Sequence, residues 1–457
     1  MDVFGSSGVR GVAGEEFTPS DAVRIAQATG TVLNADRVGV ARDTRNTGEL
    51  FVNAVASGLA SVGCDVDRLG VLPTPGLQYY CESAGVPGVM VTASHNPPEF
   101  NGIKLVGESG VELSRETLAK VETNLNAEPR LASWDETGRS QRVAGTRNRY
   151  REQLLAAVDR ERISDANLTV ALDPGHGAGA LTSPSFFTEL GCTVKTVNAQ
   201  PDGQFPGRNP EPVEESLSDL RRLVRATDAD VGIAHDGDGD RAVFVDETGE
   251  HISGEAAFAA LAAAELKTSG ANGEQTVVSA VNASQRLVDV VERAEAELSL
   301  TPIGSTYLIS RMQTLAAEGK RVVIAGESNG GIIFPTYRVA RDGAYTGARL
   351  LELLCEKPAS ELIAEYDGYH AVRHNLGYRD ETERNAMVEA IERTARESDA
   401  NVTDIDGYRL DYGDGWVLAR PSGTEPVVRV YAEARSSERA AELAAGMRER
   451  IGAVRDG

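Results

Sequence analysis

Lysine is almost absent from this chain: only six of its 46 basic residues are lysines, the rest being arginines, and 69 acidic residues leave a formal charge of −23. Such an acidic, lysine-poor surface excludes nucleic acid as a partner, since phosphate backbones need clustered cations. It suits a protein adapted to high salt, where a Debye length of about 3 Å at 1 M screens self-repulsion. Long apolar runs are also missing. No stretch approaches the roughly 18 residues of a membrane helix, and Met1–Gly5 opens without a basic or apolar leader, so a cytoplasmic protein with no membrane partner is expected. Four cysteines, Cys64, Cys81, Cys192 and Cys355, form no CxxC pair, which argues against both a disulfide framework and a zinc cluster.

What is present is a set of polar loops at the ends of apolar runs. Gly88–Ala93 reads as a buried strand that stops at Ser94-His95-Asn96-Pro97-Pro98, with scarce Lys104 close behind. An open α/β sheet binds ligands at the carboxyl ends of its strands. The same grammar recurs: 168–173 and 230–235 in the second third, then 276–280 and 321–326 in the third, with helical patterns over 19–34, 255–267 and 285–298 between them. Three related α/β units are therefore expected. Residues 409–412, 415–420 and 427–432 instead alternate like antiparallel strands, ahead of a helix from Ser437 to Ile451 with Ser437 as its N-cap. They imply a smaller α+β domain. Polar stretches near 128–150 and 365–385 mark boundaries, giving domains at 1–148, 149–252, 253–367 and 368–457.

Each loop has its own chemistry. Asp236, Asp238 and Asp240 alternate with glycine, so three carboxylates can converge on one hard cation. An EF-hand is the rival reading, with Glu247 twelfth in frame, but Arg241 stands where that loop demands glycine. Magnesium is favoured. Arg420, Ser422, Gly423 and Thr424 offer a guanidinium, hydroxyls and amides for a phosphate dianion, and Arg429 on the next strand could face the same way. Glu327, with Ser328 and Asn329, would repel phosphate but accept hydrogen bonds from sugar hydroxyls. The opening glycine-serine loop carries Arg10, suited to an oxyanion, while Arg42-Asp43-Thr44-Arg45 reads as either solvated charge or a structural ion pair. A serine, a metal cradle, a polyol-reading acid and a phosphate clamp together suit phosphoryl transfer on a sugar phosphate.

In order, the motifs F-G-S-S-G-V-R-G, T-A-S-H-N-P, D-G-D-G-D-R, G-E-S-N-G-G and R-P-S-G-T-E-P span the chain, which resembles the α-D-phosphohexomutase family. The resemblance implies an α/β fold with three related α/β domains around a central cleft plus a smaller C-terminal α+β domain. It implies Ser94 as a phosphoserine carrier, and Mg2+ held by Asp236, Asp238, Asp240 and a phosphate oxygen on Ser94. Arg10, His95, Lys104 and Arg241 would line the reacting phosphate, Lys104 as the candidate for proton transfer. A hexose bisphosphate would be the activator, and the working form a monomer or homodimer. The Phe4–Gly11 opening is more similar to phosphoglucosamine mutases than to bacterial phosphomannomutase/phosphoglucomutases, which points to glucosamine phosphate over mannose or glucose phosphate. Two departures set this chain apart: Asn329 and Gly331 where many bacterial relatives carry Ser and His, and Ser305 where relatives often place an acid or histidine.

Overall fold

The computed structural model describes residues 4, 8–268, 275–423 and 425–453. The first sheet contains β1 (Val9–Val12), β2 (Arg37–Arg42), β3 (Asp65–Val71), β4 (Gly88–Val91), β5 (Phe100–Val106) and β6 (Ser140–Arg142), in the order β1-β5-β4-β2-β3-β6. The second contains β7 (Thr169–Asp173), β8 (Thr193–Thr196), β9 (Val231–Ala234), β10 (Val243–Asp246) and β11 (His251–Ile252), ordered β11-β10-β9-β7-β8. The third contains β12 (Gln275–Ala280), β13 (Glu297–Thr301), β14 (Arg321–Gly326), β15 (Ile332–Phe334) and β16 (Arg338–Arg341), ordered β13-β12-β14-β15-β16. All three share one plan: a run of parallel strands, four in the first sheet and three in each of the others, with an antiparallel neighbour (β5, β10 or β15) beside β4, β9 or β14. The Ser94, Asp236 and Glu327 loops are the three equivalent connections at this switch. That equivalence carries three different chemistries to corresponding places.

The outer antiparallel strand differs in origin. In the second and third sheets it follows its neighbour in the chain, whereas in the first sheet β1 comes before everything else and pairs back on β5, with Arg10 opposite Gly102. Local signals explain the flanking helices. Pro19–Leu33 begins with a reciprocal Thr18/Asp21 capping box and ends at Asn34 in the left-handed region. Gly254–Thr268, alanine-rich and apolar on nearly every side, is buried nearly all round in a core shared by the second and third sheets. None of the described helices is long and apolar enough to cross a membrane.

Two sequence expectations are corrected. The helix expected over 285–298 stops at Arg293, because Glu295 takes a left-handed φ of 54° and the chain then enters β13. The final helix, Ser437–Gly452, is capped by Ser436, not Ser437: the Ser436 hydroxyl accepts from the Arg439 amide. The expected division at 148/149 falls inside the helix Thr146–Ala156.

The fourth sheet is wholly antiparallel: β17 (His370–Gly377), β18 (Asn401–Thr403), β19 (Tyr408–Asp411), β20 (Gly415–Pro421) and β21 (Val427–Ala434), ordered β17-β21-β20-β19-β18. Along β20, Val417 and Ala419 face a core with Met387 and Ile391 of the helix Glu381–Arg396 and Met447 of the final helix, while Trp416 and Leu418 pack on Val281 and Ile303 of the third unit. Period-two alternation thus gives this domain two apolar faces. The junction is polar as well. Buried Glu433 accepts from the Ser284 hydroxyl at 2.6 Å, the Gln285 amide at 2.7 Å, Arg286 at 2.8 Å and the Trp416 indole at 3.0 Å. Arg409 donates to the carbonyls of Val281 and Ala283 while lying over the Trp416 ring. Glu433→Ala leaves the Ser284, Gln285 and Trp416 donors without their acceptor and takes from Arg286 its nearest carboxylate, so a loss of about 3–5 kcal/mol is expected. Urea denaturation at constant molar KCl, followed by Trp416 fluorescence, is the measurement; an unchanged midpoint would contradict this role.

Candidate functional site

Ser94 is 1% exposed and sits in the left-handed region at φ 51°, a conformation that costs a non-glycine residue and persists only when its surroundings hold it. Its amide donates to the Thr92 hydroxyl at 2.8 Å, and that hydroxyl donates to Asp43 at 2.6 Å. Asp43 also fixes Arg45, accepting from its amide at 2.9 Å and its Nε at 3.1 Å. The guanidinium of Arg45, fully buried, then donates to four carbonyls of the serine loop: Ser94, Asn96, Pro97 and Phe100. The Asp43/Arg45 pair is therefore the scaffold of the serine turn. Sequence inspection found the pair but not its purpose, because nothing local connects position 45 with position 94.

The acid loop meets the serine loop through a glycine. A β-carbon on Gly237 would stand 2.6 Å from the Ser94 carbonyl oxygen, so only glycine permits the approach. Ser94 Oγ donates to Asp236 Oδ2 at 2.8 Å. Asp238 Oδ2 accepts from Lys104 Nζ and from Thr74 Oγ1, each at 2.6 Å; Asp240 Oδ2 accepts from Lys104 at 2.9 Å and Arg341 at 2.7 Å. One carboxylate oxygen from each aspartate lies within 4.8 Å of the others. The Oδ1 atoms of Asp238 and Asp240 are buried without a hydrogen-bond partner among the described residues. Orphaned anionic oxygens in an all-carboxylate cluster are the donor set of a hard divalent cation, so these residues fit Mg2+. Glu247, the twelfth residue of the EF-hand frame, is instead bonded to Ser360.

Burial and the carboxylates of Asp240 and Asp238 push Asp236 up to about 8. Burial also opposes charge on Asp238 and Asp240, but the cations Lys104 and Arg341 hold both below the usual carboxylate range. Lys104 answers in kind: burial works against its charge, yet Asp238 and Asp240 raise it above the ordinary lysine value. His95 is neutral, held far below its usual range by burial and by Arg241 and Arg10. Its Nδ1 lies 2.9 Å from Arg241 Nη2 and, since arginine only donates, is the acceptor. Arg10, lowered to about 10 by burial, reaches Asn96 Oδ1 at 3.0 Å from β1. Arg10, Ser94, His95, Lys104, Arg241 and the three aspartates thus form one cluster, buried except for the half-buried Arg10 and His95.

The remaining expected residues join it by steps. Arg341, at the end of β16, binds Asp240 and lies 3.6 Å from Glu112, whose other oxygen accepts from Ser305 Oγ at 3.1 Å. Beside Ser305, the Gly304 amide donates to Glu327 at 3.1 Å, and Asn329 donates weakly to Glu327 at 3.4 Å. Ser328 packs against Gly254, where a β-carbon would strike the Ser328 carbonyl. Further along, Asp406 pairs with Arg420 at 2.9 Å and accepts from the Ile303 amide at 3.1 Å, coupling the fourth domain's loop to the turn before Ser305. Arg420 and Arg429 are directly opposite partners on β20 and β21, so both project from one face. Two cations so placed repel each other unless an anion lies between. Here Asp406 and Glu425 each neutralise one. The Ser422 amide closes the hairpin on the Val427 carbonyl, Gly423 has open space about it, and Thr424 lies outside the described residues. Thr74, Glu112 and Arg341 are site-lining residues that motif reading did not single out.

Comparison with known proteins agrees with this architecture. Four family descriptions match in succession: phosphoglucomutase/phosphomannomutase alpha/beta/alpha domain I over residues 1–131, domain II over 148–249, domain III over 254–369, and the C-terminal domain over 379–450. The chain belongs to the phosphoglucomutase/phosphomannomutase family. It is 41% identical to a phosphoglucomutase/phosphomannomutase of Thermococcus kodakarensis, covering 96% of each chain. It is 40% identical to a probable phosphoglucosamine mutase of Methanopyrus kandleri, over 96% of this chain and 95% of that one. A crystal structure of a phosphoglucomutase/phosphomannomutase family protein from Burkholderia thailandensis superposes with a TM-score of 0.87 at 28% identity, covering 100% and 98% of the two chains.

The fork of carbonyls held by Arg45 sets where the Ser94 hydroxyl stands, and its loss has a measurable consequence. Arg45→Lys should lower kcat by about a hundredfold, the scale for a displaced reacting group, with KM changed little. Equal changes in kcat and KM, or neither, would mean that the fork of carbonyls does not set the serine's position.

Proposed function

We propose that this protein is a phosphohexomutase that interconverts hexose 6-phosphate and hexose 1-phosphate through a phosphoserine at Ser94 and a bisphosphorylated sugar. The observation carrying this reading is the Ser94 hydroxyl bonded to Asp236 at the rim of a three-carboxylate cluster with two orphaned oxygens, ringed by cations. A phosphoryl group on Ser94 carries about −1.5 to −2 charges, and Arg10, Lys104 and Arg241 stand ready to offset them. Asp236, Asp238 and Asp240, with a phosphate oxygen on Ser94, would hold Mg2+, whose chemistry there is charge neutralisation.

In the forward step the bond from Ser94 Oγ to phosphorus breaks as a sugar hydroxyl oxygen bonds to phosphorus, and the hydroxyl proton must leave. Ser94 then takes back the other phosphate of the bisphosphate, which must turn over within the site. Arg420 and Arg429, on one face of the fourth sheet, would clamp the non-reacting phosphate in either orientation with Ser422, Gly423 and Thr424. Glu327, Ser328 and Asn329 would read ring hydroxyls. As bonded here, Lys104 is a proton donor. Once the charge of Asp238 and Asp240 is taken up elsewhere, burial alone would pull it toward a value at which it can accept the sugar proton. Neutral His95 orients against Arg241. A phosphatase using the same acid cluster would need neither Glu327 nor the Arg420 loop.

Glucosamine phosphate is our preferred substrate, in line with the name of the Methanopyrus relative; glucose or mannose phosphate is the alternative, in line with that of the Thermococcus relative. We place the protein in the cytoplasm, adapted to high salt by its acidic surface, with domains dividing near 148, 252 and 367. The four loops come from one chain, so monomer and homodimer alike would hold complete sites.

Intact mass of freshly purified protein should show one added phosphate, lost in Ser94→Ala. That variant should have no measurable mutase turnover while binding sugar phosphate nearly as wild type does; turnover within about tenfold of wild type would overturn the carrier role. Asp238→Asn should weaken Mg2+ binding, since a hard-cation site loses a carboxylate. Calorimetric titration measures this, and unchanged affinity would make the cluster structural.

A further inference from the structure

Between β8 and the single 3-10 turn Glu214–Ser216, residues 197–213 carry neither helix nor strand, a length at which a loop inside a domain is functional or disordered. This one is stiff. Pro201, Pro206, Pro210 and Pro212 each fix a φ angle, and Gly203, Phe205, Arg208 and Pro210 are buried. Phe205 takes a left-handed φ of 50°, a strained conformation for a large aromatic residue that persists only when its surroundings hold it. Its contacts show what the strain achieves. The ring centroid lies 5.3 Å from the guanidinium carbon of Arg45, and Cε1 stands 3.6 Å from where a β-carbon on Gly237 would be. Pro210 comes within 3.5 Å of the same point. Gly203 of this loop lies against the backbone of residues 44–46, where a β-carbon would come 2.4 Å from the Asn46 amide nitrogen. The glycine between Asp236 and Asp238 is thus enclosed by the Ser94 carbonyl, the Phe205 ring and Pro210.

Arg208 repeats in the second domain what Arg45 does in the first. Both are buried, and each sets its Nε on an aspartate, Asp43 directly after β2 and Asp173 at the end of β7, the strands that pair in parallel with β4 and β9. Each then spreads its other nitrogens over four carbonyls. For Arg208 these belong to His235 at 2.6 Å, Asn209 at 3.0 Å, Asp173 at 3.2 Å and Pro210 at 3.3 Å. His235 immediately precedes Asp236, so the acid loop departs from a carbonyl that Arg208 holds. Both forks meet in one loop. We propose that residues 198–210 are a brace that sets the distance between the Ser94 hydroxyl and the metal-binding carboxylates, with Phe205 positioning the serine through Arg45 and Arg208 positioning the acids through the His235 carbonyl. The inference rests on the mutase reading, and both are positioning residues that act through others.

Calorimetric titration of Mg2+ and Ca2+ into the full chain, at matched molar KCl, tests the acid side. Mg2+ demands near-octahedral geometry whereas Ca2+ tolerates irregular sites, so a loosened loop should weaken the first more than the second. Arg208→Lys, which keeps the charge and loses the fork, should lower Mg2+ affinity by about tenfold and Ca2+ affinity by no more than about threefold. Asp173→Asn, a milder change at the same fork, should move the ratio in the same direction. A merely weakened fold would lower both affinities in parallel or neither, and either result overturns the role of Arg208. The serine side is read from a double-mutant cycle on kcat. Phe205→Leu should lower kcat by about tenfold with KM within about twofold, and should add no more than about twofold in the Arg45→Lys background, because it acts through that arginine. Losses that multiply would overturn the role of Phe205. The cycle decides if Arg208→Lys does not fold, and the titration needs no turnover: wild type that binds Mg2+ but converts no hexose phosphate defeats the mutase reading alone, whereas an active wild type with indifferent variants defeats only the brace.

Discussion

Three buried aspartates with carboxylate oxygens within 4.8 Å of one another cannot all stay ionised unless cations are carried to them, and the rest of the structure is arranged around that requirement. The cations come from different sheets: Lys104 rides on β5 of the first, Arg341 ends β16 of the third, and the acids belong to the second. The electrostatics that suit the cluster to a metal and a phosphate therefore also hold three domains in contact. Taking two ions out of water costs several kcal/mol each, which a pair recovers only with good geometry and further hydrogen bonds. Thr74 on Asp238 and Glu112 beside Arg341 supply part of that second layer.

The repeated sheet plan explains how one cleft receives unlike chemistries. A switch from parallel to antiparallel pairing forces a sharp connection at the carboxyl end of the central strands, and evolution of that connection leaves the sheet beneath untouched. Serine, aspartate and glutamate loops occupy it in turn. The fourth domain departs from the plan and reaches the cleft by another route, its Arg420 hairpin tied through Asp406 to the turn before Ser305.

Loops and strand ends were legible in the sequence because their signals are local: apolar runs, glycine alternation and prolines. Ser94, the Asp236–Asp240 loop, Lys104 and Arg10 were found that way and lie together. The helix expected over 285–298 was overextended because its end is set by a left-handed glutamate, Glu295, where no glycine or proline announces a stop. Arg45, Thr74, Glu112 and Arg341 were illegible for another reason. Each acts on residues 49 to 229 positions away, and nothing around it distinguishes an arginine that organises a turn from one that faces solvent.

The placement of β1 bears on how the chain is made. Val9 pairs with Ile103, so the strand that carries Arg10 has no partner until β5 has been synthesised. At about 5–20 residues per second this segment waits roughly 5–20 s on the ribosome while β2, β3 and β4 are completed ahead of it. A strand made before its sheet neighbours is thus among the last to be placed in that sheet, and the serine pocket cannot close before that late docking.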